Sequence, residues 1–144
     1  MLLMNGIGTA LVPLNLGLLI FGCLIGLFVG AMPGLGSVNG VAILIPITFI
    51  VPPTAAIIFL AAVYYGAMYG GAISSIMLGI PGASTAVATV FDGRPLAQKG
   101  DAITGLTAAA VGSFVGGTVS VILFTLFAPP LAKVALAFNA PETF

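Results

Sequence analysis

The 144-residue chain has no histidine and no tryptophan, one cysteine, and six charged side chains divided equally between the two signs. Each shortage excludes a class of protein. One Cys without any His builds neither a disulfide framework nor a Cys/His metal cluster. A net charge of zero lacks the basic footprint that nucleic-acid binding requires, so no polynucleotide partner is expected. No charged residue precedes Asp92, which leaves most of the chain without the surface that keeps a domain soluble. Acid–base or nucleophilic catalysis is not expected either, because no carboxylate, imidazole or side-chain amine precedes Asp92 and Ser84 has no His or Lys nearby in sequence to activate it.

What remains is apolar. Hydrophobic residues make up 60% of the chain and the mean hydropathy is +1.32, which identifies an all-α integral membrane protein. The N-terminal segment lacks the positive charge of a secretory signal and reads as the start of a first span. Cys23, within an apolar run, reads as a small residue facing lipid or a neighbouring helix. Read as one transmembrane domain, residues 1–144 end on a Pro-rich break without a polar tail, and a continuation into a larger protein is expected.

A hydrocarbon core of about 30 Å takes about 20 helical residues. Residues 14–31 come close to this, with Pro13 suited to a helix start. Gly22, Gly26 and Gly30 recur every four residues, the small-xxx-small pattern that lets helix backbones approach closely. Met32-Pro33-Gly34-Leu35-Gly36-Ser37 then breaks the helix. Residues 41–51 are too short to cross alone and read as half of a discontinuous or re-entrant helix, kinked at Pro46, with Thr48 in need of a polar partner.

Residues 55–73 supply a second span, with Ala62, Gly66 and Gly70 on one face. Tyr64, Tyr65 and Tyr69 lie within it and suit either a polar cavity or the membrane interface. Over residues 74–89 a helix runs into a second break, Leu78-Gly79-Ile80-Pro81-Gly82-Ala83-Ser84-Thr85, and a short apolar segment follows. Residues 92–101 read as the only polar loop, with Asp92 and Gly93 capping and turning it; Arg94 and Lys99 favour the cytoplasmic side. Residues 102–127 form a long span with a third small-residue ridge at Ala108, Gly112 and Gly116, ended by Pro129-Pro130.

Lipid cannot hydrogen-bond the backbone groups freed at a helix break, so such breaks persist where protein or a polar cavity covers them. A helix starting at membrane depth presents unpaired N–H groups and about half a unit of positive charge, which hold an anion without Arg or Lys. The hydroxyls of Ser37, Thr48, Ser84 and Thr85 stand beside these segments. Freed carbonyls at the opposite half-helix ends suit a coupling cation. A nucleotide loop is not indicated: Gly34 to Gly40 lacks the GK[ST] ending, and its third Gly is misplaced.

Several pieces together resemble the large membrane subunit of bacterial tripartite tricarboxylate transporters, the TctA family. They are Met32-Pro33-Gly34-Leu35-Gly36, Ile45-Pro46-Ile47-Thr48-Phe49, Tyr64-Tyr65-Gly66-Ala67-Met68-Tyr69-Gly70-Gly71, Pro81-Gly82 with Thr89 and Asp92-Gly93, and Leu126-Phe127-Ala128-Pro129-Pro130-Leu131-Ala132. The resemblance implies a multi-pass inner-membrane protein of roughly 500 residues, built from repeats, of which this chain is about the first third. It also implies proton- or cation-driven uptake of citrate-like tricarboxylates or other carboxylates, with a small membrane subunit and a periplasmic solute-binding protein as partners.

No resident cofactor is expected beyond a coupling H⁺ or Na⁺. The expected substrate-binding residues are Pro33, Gly34, Leu35, Gly36, Ser37, Thr48, Tyr65, Tyr69, Pro81, Gly82, Ser84 and Thr85. The alternative is a non-transporting membrane scaffold held to partners by its glycine ridges. A channel-like pore has no charged or carbonyl-rich ring pattern in its favour.

Overall fold

The computed structural model describes the backbone of residues 2–137 and the side chains of residues 6–132. Among the described residues six α-helices follow in order: α1 Leu2–Ala10, α2 Pro13–Ala31, α3 Gly36–Leu44, α4 Pro53–Leu78, α5 Val87–Gln98 and α6 Ala102–Ala137, with 3₁₀ segments at Ile45–Ile50 and Ser84–Ala86. No strand occurs among the described residues. Pro13–Ala31, Pro53–Leu78 and Ala102–Ala132 are long and apolar enough to cross a membrane. The chain divides into two compact units, one ending at Ala109 and the other beginning at Ala110.

The first unit is organised by α2 against α4. The buried residues of α2 are Asn15, Gly22, Gly26 and Gly30, so its face toward α4 is glycine. A Cβ at Gly22 would lie 2.8 Å from the Phe59 carbonyl oxygen, and at Gly26 and Gly30 it would collide with those of Val63 and Ala67. The arrangement is reciprocal, since a Cβ at Gly66 or Gly70 would strike the carbonyl oxygens of Cys23 and Leu27. Each glycine Cα therefore faces a carbonyl of the other helix, a placement suited to Cα–H···O contacts of about 0.5–1 kcal/mol each. Leu24, Phe21 and Phe28 point outward, where lipid is their natural solvent.

The contacts also give the direction. Gly22, Gly26 and Gly30 meet Phe59, Val63 and Ala67 in ascending order, so α2 and α4 run parallel. The connection must therefore carry the chain back roughly 22 Å, at 1.5 Å per helical residue, from the end of α2 to the start of α4. The expected half-helix over residues 41–51 is in fact longer. It begins at Gly36, directly after the break, and α3 with Ile45–Ile50 covers roughly 25 Å at α and 3₁₀ rises. The change from α to 3₁₀ falls at Ile45, one residue before Pro46, where proline withholds its N–H. Thr48 completes that turn by donating to the Ile45 carbonyl at 2.6 Å.

Four other boundaries differ from the expectation. The N-terminal segment is a separate helix, α1, joined to α2 by a turn in which buried Asn15 donates to the Thr9 carbonyl at 2.6 Å. Helix α4 extends to Leu78. Residues 92–98 are not loop but the last turns of α5; Asp92 and Gly93 do not turn the chain, because Gly93 is buried where a Cβ would press on Ile76 Cγ1. The polar connection shrinks to residues 99–101, where Asp101 accepts from Thr104 Oγ1 at 2.7 Å at the start of α6. Helix α6 continues through Pro129 and Pro130. In an apolar segment, two missing N–H donors cost less than freeing the backbone on both sides.

In the second unit, the described side chains of residues 110–132 are none of them buried. Nothing lies within 4 Å of a Cβ placed on Gly112 or Gly116, so this part of the third ridge is uncovered among the described residues.

The glycine ladder makes a specific demand on sequence. Gly26→Ala or Gly66→Ala should lower the stability of the full-length protein in detergent by about 1–3 kcal/mol, read as a fall in thermal midpoint. Gly17→Ala, with nothing within 4 Å of the added carbon, should leave the midpoint unchanged or raise it.

Candidate functional site at the paired helix breaks

Because α2 and α4 are parallel, the Pro-Gly break after each lies toward the same end of the pair. Residues 32–35 form the first break; Gly34 and Gly36 take φ of 88° and 70°, the left-handed region open chiefly to glycine. Residues 79–83 form the second, and Gly79, at φ 74°, closes α4 with its N–H on the Ser75 carbonyl at 3.1 Å. The chain then folds back, so that Gly82 is buried against Gly30, Gly71 and Ser74: a Cβ there would lie 2.8 Å from both Gly71 Cα and Ser74 Oγ and would collide with the Gly30 carbonyl. A Cβ at Gly36 would be 3.8 Å from the Gly82 carbonyl. The two breaks are thus in contact.

Two serines of α4 support the junction. Ser75 Oγ is 2.7 Å from the Gly71 carbonyl and 3.0 Å from that of Ala86, and Ser74 Oγ is 3.0 Å from the Gly71 carbonyl. On its far side, Arg94 of α5 donates from Nη1 to the Met77 carbonyl, and its stem lies against Gly79. A cation there answers the unpaired carbonyls and negative end of α4.

Neither restart has a side-chain cap. Leu35 precedes α3 and Ala83 precedes Ser84–Ala86, with no cap bond at either. The first N–H groups of α3 have no partner within their own helix. Two hydroxyls stand at these restarts and meet on one atom: buried Ser37 donates to Met68 Sδ at 3.5 Å, and Thr85, exposed, does so at 3.7 Å. Uncapped N–H groups, a positive helix end and hydroxyl donors are the groups that can hold an anion without a basic side chain.

The expected residues divide accordingly. Gly36, Ser37, Gly82 and Thr85 come together, flanked by Pro33, Gly34, Leu35, Pro81 and Ser84 in the breaks themselves. Three others do not join them through any described contact. Thr48 is bonded within its own turn. Tyr69 donates to the Leu106 carbonyl at 3.2 Å, tying α4 to the start of α6. Tyr65 lines an apolar groove of about 360 Å³ with Leu19, Cys23, Ile58, Ala61 and Ala62. Of the residues that sequence reasoning left out, Ser74-Ser75 had a signal, a polar pair inside an apolar helix; Met68, apolar among apolar residues, had none.

Comparison with known proteins bears on the same stretch. The model of the tripartite tricarboxylate transporter TctA family matches residues 16–144. The chain belongs to this family. It is also 45% identical over 139 residues to a protein of Agrobacterium vitis described as "Uncharacterized 52.8 kDa protein in TAR-I ttuC' 3'region". That match covers 96% of this chain and 28% of the relative. No solved structure matches. Both breaks and the glycine ladder therefore lie within the residues that match the family.

The Arg94 contact is open to direct test. Arg94→Ala should cost the full-length protein about 1–2 kcal/mol, through the lost bond to Met77 and the lost packing on Gly79. The check is thermal unfolding in detergent, in which Arg94→Lys should recover part of the loss.

Proposed function

We propose that this chain is the first part of a TctA-type membrane subunit of a secondary transporter, taking up citrate-like tricarboxylates or other carboxylates across the bacterial inner membrane as a multi-pass protein. A small membrane subunit and a periplasmic solute-binding protein act with it, and H⁺ or Na⁺ drives uptake. The observation that carries this reading is the contact between the two breaks, with uncapped restarts and the hydroxyls of Ser37 and Thr85 at one place. A carboxylate is the class of solute that such donors hold in a segment with no Arg or Lys before Arg94. Carbonyls at the C-terminal end of α2 supply the complementary environment for a cation, while those of α4 are met by Arg94.

The scaffold alternative uses glycine ridges as adhesive surfaces for partners. Two of the three ridges are occupied inside the chain, each by the other, and a scaffold has no use for paired breaks.

The reading is tested by uptake of labelled citrate and other carboxylates into cells expressing the full-length protein with its binding protein and small subunit. Saturable uptake that depends on the binding protein is expected. Ser37→Ala and Thr85→Val should each raise the KM about tenfold to a hundredfold with insertion unchanged, the range for a lost hydrogen bond to a charged group. An inserted protein that carries none of these solutes would return the scaffold reading to first place.

A further inference from the structure

Met68 is the atom-level link between the two breaks. It lies on α4 within the glycine-rich stretch, half-buried, and its sulfur is the acceptor for a hydroxyl from each restart. Five other hydroxyls of the chain are bonded differently. Thr48, Ser74, Ser75, Thr118 and Thr125 all donate to backbone carbonyls three or four residues earlier, the ordinary local solution. Ser37 and Thr85 instead meet on a thioether, one of the weakest acceptors in a protein. Ser37 is only 5% exposed, and no buried side-chain polar atom among the described residues is without a partner. The sulfur therefore satisfies these hydroxyls, but only weakly.

We propose that Met68 is a positioning residue for the anion. With the site empty, its thioether keeps the Ser37 and Thr85 hydroxyls aimed at one point. A substrate carboxylate then takes the place of the sulfur, exchanging two weak O–H···S contacts for two O–H···O⁻ bonds. Charge-assisted bonds are about twice as strong as neutral ones, so the exchange favours an anion over a neutral solute of the same shape. Methionine suits the task because its three rotatable bonds let the sulfur swing aside without moving α4. A stronger acceptor would compete with the substrate, and an apolar side chain would leave the hydroxyls unaimed.

This inference rests on the carboxylate reading above, and one experiment separates the two. The full-length protein, its partner subunits and the binding protein are assembled in proteoliposomes, and labelled citrate uptake is measured for the wild type and for Met68→Leu. Leucine approximates the volume and removes the acceptor. The KM should rise about tenfold, with the maximal rate per inserted molecule within about twofold of wild type. A wild type that transports, paired with a Met68→Leu variant of unchanged KM, overturns the assignment of Met68. A wild type that transports no carboxylate overturns the transport reading itself.

If Met68→Leu fails to fold, the wild-type protein labelled at its methionine methyl carbons decides. Saturating citrate should shift the Met68 methyl resonance, and the Ser37→Ala/Thr85→Val double variant should abolish that shift. A Met68 resonance unmoved by saturating citrate in the wild type overturns the proposal.

Discussion

The close approach of α2 to α4 is the constraint on which the rest of the first unit depends. Lipid offers no hydrophobic drive for one apolar helix to leave it for another, so helices in a membrane associate through packing and polar contacts. Here the helices meet backbone to backbone, with glycine Cα atoms against carbonyls in a repeat of four on both sides. A single Cβ would displace a carbonyl rather than a flexible side chain. That is why the two ridges tolerate nothing larger than glycine at Gly26, Gly30, Gly66 and Gly70.

The parallel sense of this pair has consequences of its own. Two consecutive spans joined by a tight turn would be antiparallel, and their breaks would fall at opposite ends. The discontinuous segment Gly36–Ile50 returns the chain along the pair, so α4 repeats the direction of α2. The Pro-Gly breaks that follow each helix then arrive together, with Gly82 against Gly30. The meeting of the two breaks thus follows from a packing geometry set by the glycine ladder. The matched region of the TctA family contains that whole arrangement.

Much of this was legible in the sequence because the signals are local. Composition and hydropathy marked the membrane class and the cores of the three spans, since burial in lipid is a property of consecutive residues. The period-four glycines marked the packing faces, and Pro with Gly marked both breaks. Where local reading erred, a tertiary contact was the cause. Gly93 reads as a turn residue beside Asp92, yet it is a helix residue cleared for Ile76. Pro129-Pro130 reads as a stop, yet α6 continues, because within lipid a helix with two missing donors is better satisfied than an open chain.

By itself, then, the sequence determined that this is an all-α membrane protein with three long apolar helices, two glycine breaks and a family kinship carried by spaced motifs. Only the tertiary structure decided which glycines face which carbonyls and that α2 and α4 run parallel. It alone brought residues 30, 36, 71 and 82 to one place and set Met68 between Ser37 and Thr85. The physical reason is that helix formation and membrane partition depend on neighbours along the chain. A binding site depends on the direction in which distant helices pack, and no local pattern encodes that direction.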